Sequence, residues 1–171
     1  MTTNLVKAVV TIMLLTNTVT TLNVPKPVIK QEYYNYKNPV LEIPKINLKK
    51  ELYPNDANKN NVDKNIEVIA GSKMPTEAKT NIILASHSGS SSIAYFKHLD
   101  QITYNDTVYI YYQTTKYKYI IADIYDVPKT GYVEIKRDRD KNTATLITCK
   151  KNSNLQTVYI GYLTIKEKLH N

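Results

Sequence analysis

Tryptophan is absent from this chain and phenylalanine occurs once, so any aromatic surface it buries has to come from its 15 tyrosines. A single cysteine among 171 residues excludes an intramolecular disulfide and any metal site built on several thiolates. That thiol is then either a buried bystander or a reactive group, and its neighbours decide between the two. The chain also lacks an internal repeat, a low-complexity block and a long stretch with the 3.6-residue apolar period of an amphipathic helix. Its length leaves room for one core with a short appendage and excludes a second catalytic domain. Lys and Arg number 23 against 15 Asp and Glu, a net charge of +8 that draws a surface toward anionic polymers. The basic residues are scattered, with no aromatic and basic stripe and no nucleic-acid motif. No nucleic-acid partner is therefore expected, and the charge reads as a solubilising surface.

Near the start, Leu5 to Leu22 (LVKAVVTIMLLTNTVTTL) is an apolar run interrupted by Lys7, Asn17 and five threonines. It approaches the roughly 20 residues that a bilayer span needs. Lys7 sits where a positive charge would be held on the cytoplasmic side, and Pro25 and Pro27 close the segment. Residues 1–22 read as a signal anchor or signal peptide, the ordinary alternative being an amphipathic helix packed on the domain. Residues 23–38, with their Pro, Lys and Tyr, read as a tether, and residues 39–171 as the domain it carries.

Within the domain, short segments of strand character alternate with turn-rich polar runs, the pattern of a mainly β protein. Val40 to Ile46 alternates as a half-buried strand, with Pro44 pushing it toward a sheet edge. Asn55 to Asn65 (NDANKNNVDKN) is a solvated loop by composition, with no role assigned to it. Ile66 to Ala70 and Asn81 to Ser86 follow as strands, the second apolar enough to be central. Thr107 to Tyr112 and Tyr117 to Tyr125 form a hairpin about Thr114 and Thr115, and Thr143 to Thr148 and Thr157 to Leu163 complete the set. Their spacing predicts a closed or nearly closed barrel with short helices at most.

Two reactive side chains stand at the ends of apolar strands: His87 after NIILAS and Cys149 after TATLIT. A free thiol with a pKa of about 8.5 needs help to ionise at neutral pH, and an imidazole with a pKa of about 6.5 supplies it. Cys149 and His87 thus make a candidate nucleophile and acid/base pair. His98, in the YFKHLD run where a short helix is expected, is the rival histidine, and His170 is penultimate.

The segments that carry these residues, TLITC over 145–149 and ASHSG over 85–89 followed by YFKHLDQI, resemble the two signature regions of the sortases. EIPKI at 42–46 resembles that family's opening strand, and the likeness extends from Pro39 to Leu163. The resemblance implies an eight-stranded β-barrel on the outer face of a Gram-positive membrane behind an N-terminal anchor. It implies a cysteine transpeptidase that cleaves a sorting motif through a thioacyl enzyme and joins the secreted protein to an amine of peptidoglycan or pilin. Cys149 would be the nucleophile and His87 the acid/base. Thr148, Ala85 and Ser86, beside them in the same signatures, would contact substrate. No cofactor is implied, and Glu67, Asp123 and Asp126 show no ligand spacing for calcium, so no metal is expected.

One element of the pattern is missing. Sortases carry an arginine at the head of the last barrel strand, and here Gln156 stands there, after a short KKNSNL loop. A neutral amide can donate to an oxyanion but without the charge-assisted fork of a guanidinium. Lys150, Lys151, Arg137 and Arg139 are the nearby cations in sequence. The substitution opens an alternative, a weakened sortase-like domain that binds sorting peptides without efficient turnover. The short Pro128 to Asn142 segment and the want of an aspartate-aromatic lid motif point toward the housekeeping or sporulation-associated classes. A cysteine peptidase of another fold would carry its cysteine on a helix, whereas TATLIT reads as a strand.

Overall fold

The structure, a computed structural model, describes residues 34–169. The segment read as a membrane anchor therefore lies outside the described residues, and among those described no helix is long and apolar enough to cross a membrane. In chain order the strands are β1 (Tyr36–Ile43), β2 (Leu48–Glu51), β3 (Glu67–Val68), β4 (Asn81–Ala85), β5 (Thr107–Gln113), β6 (Thr115–Pro128), β7 (Thr143–Cys149) and β8 (Leu155–Lys168). Two 3-10 turns, Pro44–Ile46 and Leu99–Gln101, accompany them. Pro44 ends β1 rather than continuing it to Ile46, because it has no N–H for the ladder and its fixed φ suits the first position of the turn. β1 also takes in Tyr36, which pairs with Gln113 of β5.

All eight strands form one sheet in the order β2-β1-β5-β6-β8-β7-β4-β3. Of the expected closed or nearly closed barrel, full closure is corrected here: among the described residues no ladder joins β2 to β3, and the sheet stays open. The physical cause is the shortness of both edges, four residues in β2 and two in β3. Between them the chain runs through consecutive turns instead of extended backbone. What spans the gap is a side chain, the Asn65 amide donating from Nδ2 to the Glu51 carbonyl at 2.8 Å.

The centre of the sheet explains why TATLIT carries no polar alternation. Thr143 to Thr148 are all buried, since β7 lies between β4 and β8 and is covered on both faces. One face meets the main core, in which Leu84, Phe96, Leu99, Tyr119 and Leu146 pack together. The other carries Ile147, Val158 and Ile160, roofed by Val133 and Ile135 from the segment before β7. The β4–β7 pair is parallel and is pinned by a buried polar knot, with the Thr143 and Thr145 hydroxyls both donating to Asn81 Oδ1 at 3.0 Å. β6 and β8 pair over almost their whole lengths, with register shifts at Lys118/Tyr119 and Ile121/Asp123 that bend them around the core.

Candidate active site

The parallel register of β4 and β7 brings the two reactive residues to one end of the sheet. Ala85 is the last residue of β4 and is partnered with Ile147. Cys149, the last residue of β7, and His87, in the turn just after β4, each stand two residues beyond that pair. The pairing runs slightly past β4: Ser86 N–H donates to the Ile147 carbonyl at 3.3 Å, and the Thr148 hydroxyl donates to the Ser86 carbonyl at 2.8 Å. The His87 carbonyl accepts from Phe96 N–H at 3.1 Å, which fastens the turn after β4 to the core.

The β7–β8 hairpin adds the third position. Its loop is closed by Lys150 N–H donating to the Leu155 carbonyl, and the antiparallel register places Gln156 directly across from Cys149. Residues so paired project to one face with Cβ atoms roughly 5 Å apart. Gln156 Oε1 is buried and has no hydrogen-bond partner among the described residues. It is an acceptor removed from water, while the amide's donor is Nε2.

Cys149 is a free, half-buried thiol. The His87 side chain is 43% exposed, and its Nε2 lies 3.0 Å from Asp63 Oδ1. Thr148 is buried, and so is Ser86, whose Oγ finds no partner among the described residues; Ala85 is half-buried between Glu67 and Ile147. His98 lies apart from this group, exposed, with Nδ1 facing Gln101 Nε2 at 3.4 Å. His170 falls outside the described residues.

A cleft of about 450 Å³ opens beside the cysteine. Thr148, Cys149 and Ser88, the neighbour of His87, line it, whereas His87 and Gln156 stand outside the lining. Its floor is apolar, from Phe96, Ile102, Ile124 and Tyr159, and its rim is charged. Lys150 pairs with Asp126, and Lys151 pairs with Asp100 at 2.8 Å. The hydrogen bond from Lys150, aided by one from the Thr157 hydroxyl, holds the Asp126 carboxyl below the usual range. Burial, with the charges of Asp100 and Asp126 nearby, pushes the Tyr159 phenol up to about 12. That ring therefore stays neutral in the cleft wall. Lys150 and Lys151 are engaged by these carboxylates and Arg137 by the carbonyls of Asp138 and Lys141, while Lys97 also lines the cleft. Among the described residues no group of His, Cys, Asp and Glu could hold a metal ion.

Asp63 and the charged rim are what sequence reasoning missed. Asp63 sits 24 residues before His87 in the loop read as roleless, and no local signal connects the two. The rim had a signal in principle, because Asp126 and Thr157 are opposite one another across the β6–β8 register.

The end of β7, the turn after β4 and the β7–β8 hairpin thus carry Cys149, His87 and Gln156, and the comparisons with known proteins identify the family. The sequence matches the family model described as the sortase domain over residues 41–163. Among solved structures it is similar to sortase C1 from Streptococcus agalactiae, at 25% identity and TM-score 0.66, over 77% of this chain and 69% of that one. It is also similar to a sortase C from Streptococcus pneumoniae (18%, TM-score 0.65, 78% and 72%) and to sortase A from Listeria monocytogenes (19%, TM-score 0.64, 77% and 89%). No curated protein sequence matches it significantly. The family match takes in β2 through β7 entire, with His87 and Cys149 inside it, and the chain belongs to the sortase family.

Proposed function

We propose that this chain is a cysteine transpeptidase of the cell envelope, with Cys149 as nucleophile and His87 as general acid and base. The observation that carries the reading is the register: two residues past the Ala85–Ile147 pair stand Cys149, at the end of β7, and His87, in the turn after β4. In the first half-reaction the thiolate attacks the carbonyl of a sorting-motif peptide bond, and the imidazolium protonates the leaving amine as the C–N bond breaks. In the second, an acceptor amine gives a proton to the imidazole and attacks the thioester, and the C–S bond breaks to restore the thiolate. Gln156, across from Cys149, is the donor for the oxyanion in place of the arginine of the family pattern. Thr148, Ala85 and Ser86 contact the peptide. The partners are secreted proteins that end in a sorting signal and an amine of peptidoglycan or pilin. The working place is the outer face of a Gram-positive membrane, with residues 1–22 as the anchor.

The test is to incubate the full chain with a panel of sorting-motif peptides, with and without an amine acceptor, and to follow Cys149 by mass spectrometry. An acyl adduct that resolves to an amide product and is missing in Cys149→Ala and His87→Ala is the expected result. If no peptide acylates the cysteine, even in Gln156→Arg, the transpeptidase reading falls and a sortase-like peptide-binding module takes its place.

A further inference from the structure

The loop over 55–65 has the composition of a solvated surface segment, yet it is fastened at several points. Asn60 behaves as an extra strand position beside β3, its Nδ2 donating to the Val68 carbonyl at 2.9 Å and its Oδ1 accepting from Val68 N–H at 2.7 Å. Val62 N–H donates to Glu67 Oε2 at 3.3 Å, and Asn65, 2% exposed, anchors the far end on the Glu51 carbonyl. Inside the loop, Asn61 Oδ1 accepts from Asp63 N–H at 2.8 Å, and the Asn61 carbonyl accepts from Lys64 and Asn65 N–H.

These bonds hold one side chain in place. Asp63 is 75% exposed, so burial does not put its carboxylate against His87 Nε2; the tethered backbone does. In the sheet β4 lies between β3 and β7, so the carboxylate reaches His87 from the β3 side while Cys149 stands at the end of β7. An imidazole that donates Nε2–H to a carboxylate has its lone pair on Nδ1. Nδ1 is then the ring atom able to take up a proton.

We propose that Asp63 is a positioning residue for the reaction assigned above to Cys149 and His87, on which this inference rests. It holds the Nε2–H, which fixes the tautomer and the ring plane, and it offsets the charge of the imidazolium. The proton balance closes on Nδ1. The thiol proton moves to Nδ1, leaving a thiolate and an imidazolium whose Nε2–H stays on Asp63, and the Nδ1 proton then goes to the leaving amine. The acceptor amine later returns a proton to Nδ1. Asp63 stays ionised throughout, the role a carboxylate plays behind a catalytic histidine.

The experiment compares Asp63→Ala and Asp63→Glu with the parent, in the full chain, by steady-state transpeptidation and by the ring nitrogen resonances of 15N-labelled His87. Loss of the carboxylate is expected to lower kcat by about tenfold with KM unchanged, and Asp63→Glu to recover most of it. The parent is expected to show a protonated Nε2 and a bare Nδ1, and Asp63→Ala a mixture of tautomers. Parent-like kcat in Asp63→Ala, or an unchanged nitrogen pattern, overturns the proposal. The nitrogen pattern needs no turnover, so it decides the role of Asp63 even if no peptide acylates Cys149, an outcome that counts against the transpeptidase reading instead.

Discussion

At the scale of single residues, the position opposite the cysteine carries the sharpest question. Gln156 replaces a charged fork with a neutral amide, and its Oε1 is buried without a partner among the described residues. Removing one oxyanion donor costs on the order of a hundredfold or more in rate. Gln156→Arg is therefore expected to raise the acylation rate of Cys149 and Gln156→Ala to lower it by about that factor, both measurable by single-turnover mass spectrometry. A slower Gln156→Arg would mean that the site is shaped around the amide. Tyr119 gives a second residue-scale test. Its ring is fully buried, its hydroxyl has no partner among the described residues, and burial pushes the phenol far up. Taking away an unsatisfied buried hydroxyl removes a desolvation cost, so Tyr119→Phe is expected to raise stability by about 1 kcal/mol in urea unfolding.

At the scale of elements, the geometry of the site is inherited from the β4–β7 pair, and that pair depends on polar as well as apolar contacts. The Asn81 carboxamide accepts from two threonines of β7 in a dry setting, with Thr143 at 1% and Thr145 at 0% exposure. Asn81→Ala strands the Thr145 hydroxyl and leaves that of Thr143 only the Thr80 carbonyl at 3.5 Å. A loss of about 1–3 kcal/mol is expected, read as a lower urea midpoint. Because this knot sits at the opposite end of the strands from His87 and Cys149, the surviving folded fraction should still acylate. β8 shows the same dependence of one strand on its neighbour. Gly161 faces Tyr119 so closely that a Cβ there would meet the tyrosine Cβ at 3.0 Å, which is why a glycine interrupts an otherwise β-branched and aromatic strand.

For the whole molecule, the open sheet leaves distant segments to be tied by charge. Lys45, in the turn after β1, reaches Asp106 before β5 at 2.6 Å, and Lys150 reaches Asp126 across the cleft. Burial pushes the Asp106 carboxyl up, but bonds from Lys45 and Thr103 more than offset it, and the carboxyl lies below its ordinary range, as does that of Asp126 through Lys150. A carboxyl with a depressed folded pKa contributes stability above its unfolded pKa of about 3.9 and loses that contribution as the pH falls through the folded value. Stability is thus expected to be flat with respect to these two groups from neutrality down to about pH 4 and to fall below it. The fall should be smaller in Asp106→Asn, as followed by urea unfolding at pH 7, 4 and 3. Both pairs are partly solvated, so the slope is modest and shrinks further with salt.

Much of this was legible in the chain itself, and for a local reason. Strand character and the placement of a reactive side chain at a strand end depend on neighbours a few residues away. TATLITC, NIILASH and the Thr107 to Tyr125 hairpin therefore declared themselves as strands, and the signatures around His87 and Cys149 named the family. By contrast, whether the sheet closes depends on two edges that never meet in sequence, and β3 is two residues long although the run Ile66 to Ala70 has strand character. The contact between Asp63 and His87 likewise exists only because Asn60 and Asn65 pin a polar loop to β3 and to the end of β2. Side-chain amides leave no periodic trace when they stand in for a ladder. The sequence by itself determined the strands and the chemistry at their ends; the tertiary structure alone decided which groups face that chemistry, because those contacts are made by residues brought together through folding over long separations in the chain.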